Sequence, residues 1–334
     1  MSEFLTLKPD DQSDILSAIS VRTGRSAQIL QKDVWICWVL KVLFEKDAGS
    51  RMVFKGGTSL SKVFGLIHRF SEDVDITLDY RDLIPAIPSP DGNLNKSQLK
   101  QLSKRLQGQV RVQVHDVIAP LLSAEFLDLT KGEGRIDISE DGEKIWLYYP
   151  SVAGSTSGYI QDSVLLEFGG RNTTEPNEQH RVTPFLASDV PDLDFPEAEA
   201  AVLVPARTFW EKATLMHVEC NRQRTEWPDR LFRHWYDLVM LSLAPIGVEA
   251  MANRTLLRDV VEHKKMFYDA SYAHYDDCLN GAFRLIPNKN QIRELERDYK
   301  EMIKAGMFEN DPPKFSEIMA MLQECEGRIN CVDF

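Results

Sequence analysis

Between residues 52 and 78 the sequence changes from a strand pattern to a tight turn, then to a short helix, and back to a strand. A short apolar run from Met52 to Phe54 leads into Gly56-Gly57, where two glycines let the backbone turn sharply and approach a ligand closely. Apolar residues then recur at the spacing of one helix face, at Leu60, Val63, Phe64 and Ile67. A helix is therefore expected to begin near Thr58 or Ser59 and to pack that face on a core.

The start of this helix is expected to form an anion site. The first N–H groups of a helix have no partner within the helix, and they attract phosphate and other anions. The hydroxyl groups of Thr58 and Ser59 are predicted to point outward at the same end, while Gly56 and Gly57 leave room for a ligand close to the backbone. These four residues are the candidate phosphate-binding residues.

Asp73 and Asp75 lie in a stretch with the alternation of a strand, DVDITL. Alternate strand residues share one face, so the two carboxylates are expected to project together. They repel each other unless a cation lies between them, and Mg²⁺ binds one or two carboxylates together with phosphate oxygens. Taken singly, the glycine pair is typical of an ordinary turn and the aspartate pair of a solvated surface or an Asx turn. Together, at this spacing, they indicate a nucleoside triphosphate site.

The strings KGGTSLSK and RFSEDVDIT resemble the AbiEii/AbiGii toxin family of minimal nucleotidyltransferases, the toxin half of type IV toxin–antitoxin systems. The resemblance extends over most of the chain, through the segments KDVWICWVL, EFGGR, EHK near residue 263, and the C-terminal MFENDPPKFSEIMAMLQECEGRIN. Because the wider nucleotidyltransferase superfamily shares the glycine and aspartate elements, the resemblance specifies the reaction class better than the substrate.

The resemblance implies an α+β fold, in which a nucleotidyltransferase-type mixed sheet is flanked by helices and followed by a C-terminal helical domain. Strand patterns agree with this fold, at 135–138, 144–149 and 163–168. Prolines and acidic residues between 176 and 199 mark a transition, after which helical patterns dominate. Residues 1–200 are therefore expected to form the core domain, and residues 201–334 a helical domain that completes the active-site cleft.

Glu167 interrupts an otherwise apolar strand, where an unpaired charge would be costly. Resemblance to the nucleotidyltransferase fold implies a third acid on a strand beside the aspartate pair, and Glu167 is the candidate for this metal ligand. The alternative is an ion pair between Glu167 and either Arg171 or Arg181.

Two residues of the helical half match positions that the resembled family uses at its active site. Pro205 is expected to begin a helix that carries Lys212, and the resemblance implies that this lysine binds the triphosphate. Asp237 matches the aspartate of an Arg-x-x-x-Asp-Leu element, while an ion pair with Arg233 one turn earlier is the alternative. Some relatives have an additional acid where this chain has His234, so the role of His234 stays open.

Charged residues on two further helices have simpler interpretations than a role in the site. Lys32 and Asp33 match a Lys-Asp pair of the family, but a surface ion pair is the simpler explanation. Residues 96–122 form a long amphipathic pattern whose other face is basic, at Lys96, Lys100, Lys104, Arg105 and Arg111. A solvated helix face is the first interpretation of this basic stripe, and RNA docking is the alternative. Loops are predicted around Pro-Asp-Gly at 90–92 and Gly-Ser-Thr-Ser-Gly at 154–158.

The net charge of −12 argues against indiscriminate binding to nucleic acid, which depends on Lys and Arg clusters, but it leaves room for a local basic face. Five scattered cysteines without CxxC spacing predict neither disulfide bonds nor a zinc site. The sequence contains no apolar run of about eighteen residues and no charged-then-apolar leader at its beginning. A cytoplasmic protein with no membrane partner is therefore expected.

The resulting hypothesis is a nucleotidyltransferase toxin that transfers a nucleoside monophosphate from an NTP to RNA. The resemblance implies that the acceptor is a tRNA 3′ end, that growth arrest follows, and that a cognate antitoxin exists. Asp73 and Asp75, with Glu167, would hold two Mg²⁺ ions, while Lys212 would offset charge on the departing pyrophosphate. Transfer to a small molecule or to a protein hydroxyl is the first alternative, and a non-catalytic nucleotide-binding module is the second. The sequence selects neither the NTP nor the oligomeric state.

Overall fold

The computed structural model describes residues 3–46, 48–84, 95–154, 160–223, 228 and 230–331. The two predicted loops, at 90–92 and 154–158, lie outside these residues apart from Gly154. The chain divides into two compact units. The first comprises Met1–Phe64, Phe70–Ile87 and Gln101–Leu203, and the second comprises Gly65–Arg69, Pro88–Lys100 and Val204–Phe334.

A seven-stranded mixed sheet forms the centre of the first unit. Its strands are β1 Met52–Lys55, β2 Asp73–Leu78, β3 Arg135–Ile138, β4 Lys144–Tyr148, β5 Ser163–Gly169, β6 Asn177–Val182 and β7 Ala198–Leu203. They lie side by side in the order β3-β4-β5-β2-β1-β7-β6. The pairs β2 with β5 and β1 with β7 are parallel, and the other neighbours are antiparallel. The mixed sheet confirms the expected α+β fold.

The strand predictions are confirmed for β3, β4 and β5, but the sequence did not predict β6 and β7. The β6 sequence NEQHRV is polar and mostly exposed, as expected for a strand at the sheet edge, so it lacks an apolar alternation. The β7 sequence AEAAVL is rich in alanine, which is depleted in strands. Because β7 extends from Ala198 to Leu203, residue 200 lies inside a strand of the central sheet.

The helices of the N-terminal part are α1 Pro9–Thr23, α2 Ala27–Glu45, α3 Gly56–Lys62 and α4 Tyr80–Leu83. Almost every residue of α2 is buried, and this helix packs on β5 and β7. The Trp35 ring stacks on Tyr149 with centroids 5.4 Å apart and meets Phe126 edge-on. This aromatic-rich helix therefore packs against the central sheet.

The amphipathic pattern that begins at Lys96 forms two α-helices joined by a π-helical turn. These elements are α5 Lys96–Gln113, the turn Val114–Ile118 and α6 Ala119–Leu129. Leu102, Leu106 and Val110 form the buried face of α5. The helical segment is thus longer than predicted, and a π-helical turn interrupts its α-helical hydrogen bonding.

Helices make up most of the second unit: α7 Pro205–Asn221, α8 Arg233–Leu243, α9 Pro245–Ala252, α10 Arg254–Tyr268, α11 Tyr275–Leu279, α12 Lys289–Lys304 and α13 Phe315–Asn330. Pro205 begins α7 as predicted, because its fixed φ and missing N–H suit the first helical position. Phe209, Ala213 and Met216 are buried on this helix, whereas Val218 is only half-buried.

All five cysteines are free thiols, which confirms the expectation that the chain has no disulfide framework. Cys37, Cys278 and Cys325 are buried as small apolar residues, and Cys331 is exposed. Within the part of the chain that the structure describes, no helix combines the length and the apolar character needed to cross a membrane.

Candidate active site

The glycine turn passes directly into α3, which begins at Gly56 and ends at Lys62. This helix begins earlier and is shorter than the sequence predicted. Gly65 adopts a left-handed φ of 59°, which an α-helix cannot contain. Val63 and Phe64 consequently lie in the turn after α3, and Ile67 is buried without being helical.

Gly56 is required because the carboxylate of Asp75 lies against its backbone. The φ of Gly56 is 83°, in the left-handed region that favours glycine. A Cβ atom at this position would collide with the Asp75 side chain. The glycine turn therefore does two things at once, since it reverses the chain and gives Asp75 its place.

The hydroxyl groups of Thr58 and Ser59 do not point outward, which corrects the prediction for these two side chains. Thr58 is fully buried, and its hydroxyl donates to the backbone carbonyl of Asp73. The Ser59 hydroxyl, also buried, donates to the Gly56 carbonyl at 3.0 Å. Both hydroxyls thus hold α3 and β2 in place, and any phosphate contact in this segment falls to backbone N–H groups.

Asp73 and Asp75 are the first and third residues of β2, so their side chains leave the same face of the strand. Asp73 is 8% exposed and Asp75 is half-buried. The neighbouring parallel strand β5 places Glu167 directly beside Asp75. The three acids therefore lie along two adjacent strands, and together with Lys144 they are called here the carboxylate edge.

Glu167 pairs with Lys144 of β4, with an Nζ–Oε1 distance of 2.5 Å. Neither alternative partner is correct, because Arg171 pairs with Glu143 and Arg181 with Glu197. Partial burial lowers the pKa of the Lys144 ammonium, but the hydrogen bond and charge of Glu167 outweigh it and raise the pKa overall, with a further contribution from Asp73. Lys144 therefore carries a full positive charge beside the acids.

A role for Glu167 as a third metal ligand beside Asp73 and Asp75 stays a prediction. Among the described residues, no group of three or more His, Cys, Asp and Glu side chains is arranged to hold a metal ion. Two carboxylates on one strand face are nevertheless a suitable donor set for Mg²⁺, which takes its other ligands from water and phosphate. Asp73 and Asp75 fit such a site, and Glu167 would join them by giving up its ion pair with Lys144.

Two buried ion pairs join α2 to both ends of the segment that carries the aspartates. Lys32 binds Glu72 at 2.6 Å and donates to the Gln161 carbonyl at 3.1 Å. Asp33 binds Lys62 at 2.5 Å and accepts the backbone N–H of Phe185 at 2.6 Å.

The interpretation of Lys32 and Asp33 as a surface ion pair is wrong. Both side chains are buried, and each pairs with a different partner, one at the end of α3 and the other just before β2. Removing one member of such a pair leaves an uncompensated buried charge. Lys62 follows the glycine turn and Glu72 precedes Asp73, so α2 fixes this segment from both sides.

The second unit contains an ionic cluster formed by Arg69, Lys212 and Asp237, called here the buried cluster. Asp237 on α8 is fully buried and accepts two hydrogen bonds from Arg69, at 2.7 and 2.8 Å. Its Oδ2 atom also lies 2.9 Å from the Nζ of Lys212 on α7. Arg69 is 2% exposed and Lys212 is 7% exposed, so three charges are removed from water together.

Asp237 has different partners from the one expected, since Arg69 and Lys212 replace the suggested Arg233. Burial raises the pKa of the Asp237 carboxyl, but the charges and hydrogen bonds of Arg69 and Lys212 outweigh this and lower the pKa below its usual value. Asp237 is therefore a permanent anion that orients the Lys212 ammonium.

His234 lies beside the buried cluster, with its Nδ1 atom 3.5 Å from the Nζ of Lys212. Burial, followed by the positive charges of Lys212 and Arg233, holds the pKa of His234 well below its usual value. The imidazole is therefore neutral at physiological pH. It limits the positive charge around Lys212 rather than adding to it.

A sequence model of the family described as Nucleotidyl transferase AbiEii toxin, Type IV TA system, matches residues 38–321, a range that contains the carboxylate edge and the buried cluster. The chain belongs to this AbiEii family. The fold is similar to that of MenT4, a nucleotidyltransferase toxin from Mycobacterium tuberculosis, with a TM-score of 0.52 and 17% sequence identity. The likeness covers 95% of this chain and 90% of MenT4, and at this identity it concerns the fold. No curated protein matches the chain in sequence.

As an AbiEii toxin, the protein is a nucleotidyltransferase and takes an NTP as its substrate. It is the toxin of a type IV toxin–antitoxin system and therefore has a cognate antitoxin. Membership of this family accounts for carboxylates next to a glycine turn, since nucleotidyl transfer needs groups that hold and orient a triphosphate.

Three charged residues of this AbiEii toxin have no role predicted from its sequence: Arg69, Glu72 and Lys144. Arg69 and Glu72 belong to the string RFSEDVDIT, but their partners lie far away in the chain, at Asp237 and Lys32. Hydrophobic periodicity does not report pairs of this kind. Lys144 could have been found, because it opens a predicted strand that pairs with the strand of Glu167.

Proposed function

We propose that this AbiEii toxin transfers a nucleoside monophosphate to a tRNA 3′ end in a reaction that depends on Mg²⁺, and thereby arrests growth. The proposal rests first on Asp73 and Asp75, which leave one face of β2 next to a glycine turn that no larger residue could form. Carboxylates at a position where a triphosphate can approach the backbone suit a nucleotidyl transfer site.

Asp73 and Asp75 are the residues that would hold the metal ions, two in number for this class of reaction. Bound Mg²⁺ would neutralise phosphate charge and lower the pKa of the attacking hydroxyl. Glu167 is assigned a secondary role, because it pairs with Lys144. Lys144 in turn limits the negative charge that builds up along the carboxylate edge.

The remaining residues bind and orient the triphosphate. The backbone of Gly56 lies against Asp75, and the N–H groups at the start of α3 are the candidate contacts for phosphate oxygens. Lys212 supplies a positive charge for the departing pyrophosphate, and Asp237 with Arg69 fixes the direction of its ammonium group. Asp237 is fully buried, so it acts as a positioning residue.

In the transfer step, the terminal hydroxyl of the acceptor attacks the α-phosphorus of the NTP. A new P–O bond forms to the acceptor oxygen, the bond to the bridging oxygen breaks, and pyrophosphate leaves with both electrons. The hydroxyl proton passes to solvent. The product is RNA lengthened by one nucleotide, and a tRNA with a blocked 3′ end cannot be charged with an amino acid.

The test is incubation of the purified protein with each of four NTPs labelled at the α-phosphate, in the presence of total RNA and Mg²⁺. We expect label to enter RNA of tRNA size with wild-type protein and not with Asp73→Asn. Label in a small-molecule or protein fraction would establish a different acceptor. A protein that binds NTP without transferring label to any acceptor would be a nucleotide-binding module. Induced expression in cells should stop growth only when Asp73 is intact.

A further inference from the structure

Helix α5 has a composition unlike that of the rest of this acidic protein. The 18 residues of Lys96–Gln113 include five basic residues and no acidic residue. Its cations are all exposed, at Lys96, Lys100, Lys104, Arg105 and Arg111. Lys96, Lys100 and Lys104 follow each other at intervals of one turn, where like charges destabilise a helix by a few tenths of a kcal/mol. A helix face that is only solvated is expected to carry acidic residues among its basic ones.

Helix α12 shows what a solvated helix of this protein looks like. Its 16 residues also carry five basic side chains, but four acidic side chains lie among them. Three ion pairs form within the helix: Arg297 with Glu294, Lys300 with Glu296, and Lys304 with Glu301. On α5, by contrast, Lys100, Lys104, Arg105 and Arg111 have no acidic partner among the described residues. The comparison argues against a merely solvated face for α5.

The apolar side of α5 is already used inside the fold. Leu102, Leu106 and Val110 are buried, so the helix has no free apolar face to insert into a lipid surface. Only the charged side is available to a partner. A partner that binds through charge alone, along a line of about 22 Å, must itself carry regularly spaced negative charges.

The C-terminal part of α5 lies next to the carboxylate edge within the first unit. Gln107 donates to Glu143 at 3.4 Å, and the Arg111 side chain lies against Gly142. Lys144 follows this turn as the first residue of β4 and binds Glu167. Arg111 of α5 therefore lies against the turn that leads into the carboxylate edge.

From these observations we propose that the basic face of α5, formed by Lys100, Lys104, Arg105 and Arg111, binds the phosphate backbone of the acceptor RNA. This inference rests on the proposed function, because it names the surface that brings the acceptor to the carboxylate edge. The binding is expected to be independent of base sequence, since Lys and Arg contacts to phosphates carry no sequence information. An acidic segment of a protein partner is the competing occupant that the experiment decides against.

The experiment compares two triple variants that each remove three positive charges from an exposed helix face. The test variant is Lys100→Gln, Lys104→Gln and Arg105→Gln on α5. The matched control is Arg293→Gln, Arg297→Gln and Lys300→Gln on α12. Binding of bulk tRNA is measured by fluorescence anisotropy over a series of salt concentrations, and the KM values for tRNA and NTP are measured by label transfer.

We expect the α5 variant to bind tRNA about 10- to 100-fold more weakly at low salt, with a slope of log K against log salt that is smaller by roughly 2 to 3. Its KM for tRNA should rise while its KM for NTP and its melting temperature stay unchanged. The α12 control should match the wild type in every measurement. Asp73→Asn should bind tRNA normally, which separates docking from catalysis.

Equal tRNA affinity and equal salt slope in the α5 variant and the wild type would overturn the docking proposal and leave the proposed function standing. An equal loss in the α12 control would also overturn it, because the effect would then come from net charge. If the wild type binds tRNA through α5 but labels only a small molecule or a protein, the proposed function fails, and with it the assignment of the bound RNA as the acceptor. Wild-type protein without salt-sensitive tRNA binding would contradict the docking proposal directly.

Discussion

The Glu167–Lys144 pair of the carboxylate edge and the buried cluster both join acids to cations, but they do so under opposite conditions of solvent exposure. In the carboxylate edge, the side chains of Glu167 and Lys144 are 32% and 41% exposed. In the buried cluster, Asp237 is fully buried and its two cationic partners are almost so. Exposed ion pairs contribute little to stability, whereas breaking a buried pair is costly. The first group can therefore exchange partners, and the second is fixed.

This difference separates binding from positioning. A metal site must admit its ion and its substrate, so its ligands need partners that can be displaced. A lysine that must meet a triphosphate in one direction needs a partner that does not move. Substitutions in the carboxylate edge should consequently change activity more than stability, and substitutions in the buried cluster should change both.

The largest effect is expected for Asp73→Asn, which removes one of the two candidate metal ligands while keeping the shape of the side chain. Label transfer should fall by about 10³-fold or more, because charge on the transferred phosphate is no longer neutralised. Asp116→Asn, at an exposed position of the π-helical turn, is the control and should behave as wild type. Full activity of Asp73→Asn would remove β2 from the active site.

Asp237→Asn should produce the largest loss of stability. It removes the carboxylate charge that Arg69 and Lys212 share, and breaking a buried ion pair of this kind costs about 3–5 kcal/mol in the free energy of unfolding. Urea titration followed by circular dichroism measures this loss. Lys212→Ala is the informative contrast, because the pair of Arg69 and Asp237 survives in that variant.

Lys212→Ala should therefore keep most of its stability and lose transfer by about 10²- to 10³-fold. Similar unfolding free energies for Asp237→Asn and Lys212→Ala would contradict the description of Asp237 as the common anchor. Full activity of Lys212→Ala would show that the second unit supplies no phosphate-binding lysine.

Glu167→Gln should have a smaller effect on transfer than either aspartate substitution, less than about tenfold. Glu167 pairs with Lys144 on a partly exposed face, and its carboxylate is not one of the two assigned metal ligands. The Mg²⁺ concentration for half-maximal label transfer is the deciding measurement. A loss as large as that of Asp75→Asn, accompanied by a higher Mg²⁺ requirement, would restore Glu167 as a ligand.

The smallest effect concerns pH. The pKa of His234 is lowered in the folded protein, so between that pKa and the usual value of 6.5 the unfolded chain binds a proton that the folded chain does not. The contribution of the neutral imidazole to the free energy of unfolding is therefore fully present above about pH 6.5. It decreases as the pH falls, with a slope of at most about 1.4 kcal/mol per pH unit. Urea titrations of wild type and His234→Asn are compared between about pH 7.5 and 5. The free energy of unfolding should depend less steeply on pH in the variant, because one proton-binding group has been removed.

His217 contributes to the same slope, because burial also lowers its pKa. The slope that remains in His234→Asn is therefore expected to diminish further in the double variant with His217→Asn. An unchanged slope in both variants would mean that neither imidazole is kept neutral by the fold.

Local patterns in the sequence were sufficient for much of the fold. The strands β3, β4 and β5, the start of α7 at Pro205 and the shared face of Asp73 and Asp75 all follow from spacing over a few residues. Such patterns depend on backbone geometry alone, so they can be recognised without knowing which residues each side chain contacts in the fold. The edge strand β6 was not predicted, because its mostly exposed sequence shows no apolar alternation.

Partners that lie far apart in the sequence could not be predicted in the same way. The partner of Asp237 is Arg69, 168 residues away, while the partner suggested by helix spacing was Arg233. Lys32 and Asp33 looked like neighbours on a surface, yet each is buried against a different residue. A charge in a sequence does not show whether it will meet water or an opposite charge, because tertiary packing decides this.

Replacing Gly56 by alanine should inactivate the toxin without removing a charged group. An alanine there would push the Asp75 carboxylate out of its place, and the left-handed backbone would add strain. Every acid, every cation and the basic face of α5 would still be present in the altered chain. A growing culture should tolerate a protein of this kind, whereas it should not tolerate the wild type.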